Sequence, residues 1–310
     1  MYDNVNIFQP MVGADVPTLG LDNVSEAVNK DTGEIVTKGR LGNLNVCLAG
    51  RGLTIKGSLC KFYHNGSNVY PLDVRQTAEA IEKLEDTLHY SLDEAMVTGL
   101  EFGTNFLLSH PVSMYLERLG YMSRMKRGDF AGSLYYKSNG KRQSKVVCFY
   151  DKIADARAKA MDIPIGFNDA NVLRYEIRYK GRLCTQLKEP SLFVPKLTDK
   201  RFYRKMLERY NSTYQAINKK TILVDDNMER VTNVKEAYDV FVAKLIAQAP
   251  PNEVADFIDE LERRKVFADR KYLTRLRQKI NNVTQKSNFT KSDELIRELD
   301  NEVSNCLAYI

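Results

Sequence analysis

From Leu173 to Lys180 the chain alternates without a break, with Leu173, Tyr175, Ile177 and Tyr179 on one side and Arg174, Glu176, Arg178 and Lys180 on the other. Strict period two is the signature of a β-strand with one face against a core, because successive side chains on a strand point to opposite faces. The pattern excludes a helix here and leaves a highly charged face to be accounted for. A carboxylate flanked by arginines is poor core material, but it is suited to holding a metal ion and a phosphate together.

Other segments also read as strands and helices. Val97 to Leu107 reads as a strand with Gly99, Glu101, Gly103 and Asn105 on one face and Leu100, Phe102, Thr104 and Phe106 on the other. Glycines at 99 and 103 leave space around Glu101 for a ligand or a backbone. Leu134-Tyr135-Tyr136 and Lys145 to Tyr150 flank Ser138-Asn139-Gly140-Lys141, and Asn-Gly is a strong hairpin signal. Asn45 to Ala49 and Leu53 to Ile55 flank Gly50-Arg51-Gly52, a second hairpin. Residues 73–90 form a helix with Asp73 as N-cap and Ala78, Ile81, Leu84 and Leu88 along one stripe. Shorter helices are expected at 111–119 and 151–162, while residues 1–40 read as loops with strand fragments. Strands interleaved with helices, with hairpins present, predict an α+β fold with a mostly antiparallel central sheet flanked by helices.

Beyond Pro195 the character changes. Residues 199–220 read as a basic helix, and Val234 to Ile280 as two or three amphipathic helices interrupted at Pro250-Pro251. Asn281 to Ser292 is a polar linker and 293–307 a last helix. The expected division is 1–220 and 230–310, with the boundary between about 215 and 232 and an α-helical C-terminal region.

Composition narrows the chemistry. The net charge of +6 is uneven: Arg118 to Lys220 holds 24 Lys and Arg against 9 Asp and Glu, a local +15 that leaves −9 for the rest. A basic segment of this kind attracts phosphates and makes nucleic acid the leading partner class, the alternative being a solvated surface. Five cysteines without a CxxC read as reduced core residues. The three histidines, His64, His89 and His110, form neither His-x-His nor HExxH. There is no GxxxxGK[ST], no GxSxG and no Rossmann fingerprint, which argues against an ATPase or helicase. Any metal is then held by carboxylates and amide oxygens, which suits Mg²⁺ or Mn²⁺ rather than Zn²⁺. No apolar run is long enough to span a membrane and the N-terminus lacks the pattern of a signal peptide, so the expected location is the cytoplasm.

Tyr150, in the segment Phe149-Tyr150-Asp151-Lys152, is the best nucleophile candidate. On a strand it shares a face with Lys152, and a nearby cation favours the phenolate of a group whose ordinary pKa is about 10. With seventeen tyrosines in the chain, packing is the competing account of this one. Glu176 and Glu101 are the metal candidates, with Asn105 as an added amide oxygen; solvent-facing positions of a half-exposed sheet are the competing account. Arg174 and Arg178 could clamp a phosphate or form cross-strand ion pairs. Basic residues on 200–209 and 270–279 suit phosphate contact or a solvated helix face equally. The last helix, with Leu295, Ile296 and Leu299, could dock on the body, on a second copy as a homodimer, or on a host helicase; core packing is the default.

The run Gly57-Ser58-Leu59-Cys60-Lys61-Phe62, the strand Val97 to Phe106, the Tyr150 segment and Leu173 to Lys180 occur in this order. Together they resemble phage and plasmid replication initiation proteins of the filamentous-phage gene II/gene X type, themselves similar to trans-acting rolling-circle Rep initiators and relaxases. The resemblance spans roughly residues 40–190. It implies a rolling-circle replication initiator in a bacterial host: a site-specific, metal-dependent DNA endonuclease that nicks and rejoins origin DNA through a 5′-phosphotyrosine. The substrate it implies is a single-stranded or hairpin nick site with flanking duplex. By the same resemblance Tyr150 is the nucleophile, Lys152 contacts phosphate or tunes the phenol, Glu176 binds metal and Glu101 matches a second acid. Gly99 stands where the family usually has arginine, and Glu101 where it usually has Asp. A mobilisation relaxase shares this chemistry. A non-catalytic origin-binding initiator and an RNA-binding protein are the readings from other classes.

Overall fold

The computed structural model describes residues 1–11, 20–28, 30–138, 144–223, 231–250, 252–284 and 290–308. Its first half contains β1 (Tyr2–Pro10), β2 (Asp22–Val28), β3 (Ile35–Leu41), β4 (Leu44–Ala49), β5 (Gly52–Ser58), α1 (Leu59–Tyr63), α2 (Val74–Leu88), β6 (Met96–Leu108) and α3 (Val112–Leu116). Next come β7 (Leu119–Met122), β8 (Met125–Phe130), β9 (Ser133–Ser138), β10 (Lys145–Asp151), α4 (Lys152–Ala158) and β11 (Asn171–Lys180). The chain then runs through α5 (Leu183–Leu187), α6 (Lys200–Gln215), β12 (Ile217–Lys219), β13 (Thr221–Leu223) and α7 (Val234–Gln248). It ends with α8 (Glu253–Arg263), α9 (Lys271–Thr284), β14 (Thr290–Ser292) and α10 (Glu294–Asn305).

Ten strands form one sheet in the order β2-β3-β4-β5-β1-β6-β11-β10-β9-β8, and neighbours pair antiparallel throughout. The architecture is therefore the predicted α+β, an antiparallel sheet with helices and a helical C-terminal region. Both predicted hairpins are present as pairs β4–β5 and β9–β10. The Asn139-Gly140 turn lies outside the described residues, as do 224–230 of the expected boundary and 285–289 of the expected linker. The predicted cap of α2 is a full capping box, Asp73 receiving the Gln76 backbone N–H while the Gln76 side chain accepts from the Asp73 N–H.

The N-terminal segment departs from expectation. Residues 2–10 are no loop: β1 lies mid-sheet between β5 and β6. Asp3, Asn4 and Asn6 are weak strand formers, which masked it. Ladder partners on both sides override that local preference.

One face of the sheet is apolar. Leu100, Phe102, Phe149, Tyr175 and Ile177 are fully or almost fully buried there, with Tyr203, Tyr210 and Tyr214 of α6 packed over them. The Tyr175 ring stacks on Phe149 at 4.5 Å and Tyr210 at 4.1 Å. Tyr175 and Tyr210 each donate a hydroxyl hydrogen bond to the other's carbonyl, at 2.9 and 2.8 Å. Buried phenols need such partners. Leu295, Ile296, Leu299 and Val303 of α10 join the same core, so of the three docking options for this helix the body of the protein is the one observed. Because the helices close the apolar face, the charged faces of β6 and β11 are left to form the other side.

Candidate active site

The charged face gathers at the centre of the sheet, where β5, β1, β6, β11 and β10 lie side by side. There they line a cleft of about 340 Å³, with α4 following directly from β10. Glu101 faces Arg178 across β6–β11, Gly103 faces Glu176, and Tyr150 on β10 faces Arg174. The alternation of Leu173 to Lys180 thus does what the sequence demanded: Tyr175 and Ile177 enter the core while Arg174 and Glu176 turn to the other side.

The third carboxylate comes from β1. Tyr2 pairs with Phe102 and Val5 with Leu100, so three steps on β1 match two on β6, a β-bulge. On a regular strand Asp3 and Asn4 would point to opposite faces. In the bulge both serve the site. Asn4 donates its amide to Glu101 Oε2 at 2.5 Å, and Asp3 reaches Arg174, Ser58 and Asn68. Asp3, Glu101 and Glu176 each offer a carboxylate oxygen within 4.8 Å of the other two. Sequence reasoning missed Asp3. The available signal was the spacing of apolar residues at 2, 5 and 7, where one extra polar residue interrupts the period of two.

Arg174 lies beneath the carboxylates, 1% exposed. Its Nε donates to Glu176 Oε2 at 2.6 Å, its Nη1 to Asn105 Oδ1 at 3.3 Å and its Nη2 to Asp3. With every nitrogen engaged and almost no exposure, Arg174 positions two carboxylates and does not reach a phosphate in the cleft. That corrects its expected place as a phosphate clamp in favour of the ion-pair reading; the reason is that Glu176, Asn105 and Asp3 together engage all three of its nitrogens. Arg178 is more open, its Nε on Glu176 Oε1 at 2.7 Å and 3.5 Å from Glu101 Oε1, and it lines the cleft.

Asn105 is not brought to the carboxylates. Its amide nitrogen is spent on the carbonyls of Asn68 and Val69 at 3.1 and 2.6 Å, and its oxygen on Arg174. Asp3 stands where an amide oxygen was expected. The glycines also act differently. A Cβ on Gly103 would lie 2.6 Å from Glu176 Cβ, and one on Gly99 would overlap the Asn6 side chain. The space they leave is already filled, by Glu176 and Asn6, rather than held open for a ligand.

Tyr150 donates its hydroxyl to Glu176 Oε2 at 3.3 Å. Burial pushes its phenol well above the ordinary range; Arg174 counters part of this and Glu176 adds to it. The expected stabilisation of the phenolate by a cation is therefore outweighed by desolvation. Asp151 ends β10 and caps α4, accepting from the backbone N–H groups of Ile153 and Ala154. Lys152 thus begins a helix rather than continuing the strand, and it still lines the cleft. Its ammonium donates to Asn68 Oδ1 at 2.7 Å. Burial, then Arg174, lowers its pKa to about 8. Burial and then Glu176 raise the Glu101 carboxyl, with Arg178 pulling the other way. For Asp3, burial acts upward, but Arg174 and the hydrogen bonds from Ser58 and Asn68 outweigh it and the pKa is lowered.

A family model described as the N-terminal part of a phage replication-associated protein, the gene II protein, matches residues 47–213, more than half of the chain. The chain belongs to that family. The matched span carries Glu101, Tyr150, Lys152, Arg174, Glu176 and Arg178 of this phage replication initiator, while Asp3 and Asn4 precede it. No curated protein gives a significant match. Among the described residues no helix is long and apolar enough to cross a membrane.

Proposed function

We propose that this member of the phage initiator family is a rolling-circle initiator that nicks and rejoins one strand of origin DNA through a 5′-phosphotyrosine on Tyr150. The supporting observation is the hydrogen bond from the Tyr150 hydroxyl to Glu176, itself one of three clustered carboxylates. Three hard oxygen donors from three strands fit Mg²⁺ or Mn²⁺. Asp3, Glu101 and Glu176 would hold the ion, which supplies Lewis-acid polarisation of a phosphoryl oxygen when bound.

The chain's own groups account for the proton transfers. The Tyr150 oxygen bonds to phosphorus as the P–O3′ bond breaks, and the phenol proton passes to Glu176 Oε2. The departing 3′ oxygen takes a proton from Lys152, whose pKa of about 8 makes its ammonium a usable acid near neutral pH. Arg178, at the cleft, stabilises charge on the equatorial phosphate oxygens. Arg174 acts through Asp3 and Glu176 by keeping them in place. Reversal of the same step rejoins the strand.

The test is an adduct assay on single-stranded oligonucleotides tiled across the replication origin next to the gene, with Mn²⁺ or Mg²⁺. A covalent adduct on a denaturing gel that needs metal and vanishes in Tyr150→Phe is the expected result. An adduct that persists in Tyr150→Phe moves the nucleophile elsewhere. Tight origin binding without any adduct overturns the enzymatic reading in favour of a non-catalytic initiator. Cleavage mapped to a transfer origin instead points to a mobilisation relaxase.

A further inference from the structure

The site face of the sheet continues beyond the cleft, and the strand registers allow one row to be followed across it. Arg40 on β3 faces Asn45 on β4, Asn45 faces Lys56 on β5, and Lys56 faces Asn6 on β1. Asn6 then faces Gly99 on β6, and Gly99 faces Lys180 on β11. This row lies one same-face step from Ser58, Asn4 and Arg178, which line the cleft. Lys38 stands one further step along β3. Lys38, Arg40, Lys56 and Lys180 are exposed, and none forms an ion pair among the described residues. Asp22, opposite Arg40 at the outer strand, is the acid that ends the row. On the far side from the carboxylates, Phe8 pairs with Met96; Phe8 is half-buried and Met96 37% exposed.

We propose that this row is a track for the single-stranded DNA that flanks the scissile phosphate, its cations and amides contacting the backbone and Phe8 offering a face to a base. Charge complementarity carries the assignment: four cations without ion-pair partners among the described residues and two asparagine amides stand together beside the carboxylate cleft. Surface cations in a line are what a polyanion requires, since each phosphate neutralised releases a counterion. Sequence-tolerant single-strand sites combine such a groove with an aromatic platform. Five interstrand steps make the row about 24 Å long, enough for several nucleotides, and with Lys38 and Phe8 one same-face step beyond it the track is two side chains wide. A single strand can lie along it and turn one phosphate into the cleft toward Tyr150, whereas a duplex cannot bring one backbone to the cleft floor without opening.

The proposal rests on DNA as the substrate but not on the transesterification chemistry, and the test separates the two. Binding of a fluorescein-labelled oligothymidylate is followed by anisotropy in Tyr150→Phe protein, in EDTA, across a salt series. The triple variant Lys38→Gln/Arg40→Gln/Lys56→Gln is compared with Lys200→Gln/Arg201→Gln/Arg204→Gln, which removes the same charge from exposed positions on α6, across the sheet. The track variant is expected to bind about tenfold or more weakly, with the slope of log K against log salt reduced by about 2, from ~0.7 per single-strand phosphate contact. The α6 variant should change less than about twofold. Equal loss in both variants would reduce the effect to net charge and overturn the track, as would no loss in either. A loss seen equally with a labelled duplex of the same length would overturn the single-strand assignment. A failed adduct assay leaves these binding outcomes readable, and a failed binding test leaves the adduct assay readable.

Discussion

Gly103→Ala tests the closest approach in the site. The new Cβ would lie 2.6 Å from both Glu176 Cβ and the Tyr175 carbonyl oxygen, and 2.8 Å from Glu176 Cα. Ordinary contact begins near 3.4 Å, so β6 and β11 must separate by about 0.8 Å or twist locally. Two of these three atoms are backbone, so no side-chain rotation relieves them. Ladder hydrogen bonds of about 2.9 Å stretched by that amount leave the useful range, and two such bonds contribute about 1–3 kcal/mol together. Alanine gains back about 0.5–1 kcal/mol over glycine within a strand. Taking the middle of each range, the expected net cost is about 1 kcal/mol, within about 0–2.5 across the ranges, with loss of the 3.3 Å contact between Tyr150 and Glu176. Urea unfolding followed by far-UV circular dichroism and tyrosine fluorescence reads the first quantity, and the chain has no tryptophan to interfere. Adduct yield reads the second. Gly128→Ala on β8, where a Cβ would meet nothing within 4 Å, is the control and should stay within about 0.5 kcal/mol of the parent. A Gly103→Ala protein as stable as that control would refute the packing argument.

Further outcomes follow from the same geometry. Arg174→Leu leaves Asp3 and Glu176 buried without their shared cation, and should lower stability by about 3–5 kcal/mol in the same urea assay; a loss under about 1 kcal/mol would show that the carboxylates do not depend on it. Melting temperature should rise on adding Mn²⁺ to the parent protein and not in Asp3→Asn, because metal bound only by the folded state stabilises it; an equal rise in both would remove Asp3 from the ligand set. For Lys152, whose pKa is lowered to about 8 from the usual 10.5, the unfolded chain binds more protons between those values, so this group makes the fold more stable as pH rises through that window. Nicking should move the opposite way, declining as pH rises through about 8 while the ammonium is lost, and a pH–rate profile without that limb would exclude Lys152 as the proton donor.

Much of the framework was legible locally. The eight-residue alternation within β11, the Asp73 cap and the two hairpins each arise from residues near one another in the chain, so period and turn chemistry suffice to place them. The same alternation told which side chains of each strand share a face, and so placed Glu101 on the less apolar face of β6 and Glu176 on the charged face of β11. It could not say what covers that face.

That was decided by contacts between distant segments. Asp3 and Arg174 are 171 residues apart, and their meeting depends on β1 entering the middle of the sheet and on a bulge that turns two successive residues to one side. Arg174 is buried rather than open to phosphate, Asn105 is drawn to the 68–69 backbone, and Gly103 makes room for Glu176, all because of which strand lies alongside which. Side-chain periodicity is a property of one strand, whereas burial, ligand sets and phenol acidity belong to the assembled sheet. The sequence alone determined an α+β chain with a charged strand face and a tyrosine nearby; the tertiary structure decided that Asp3, Glu101, Glu176, Arg178, Lys152 and Tyr150 line a single cleft with Arg174 buried beneath it, because long-range strand pairing brings together what local pattern cannot.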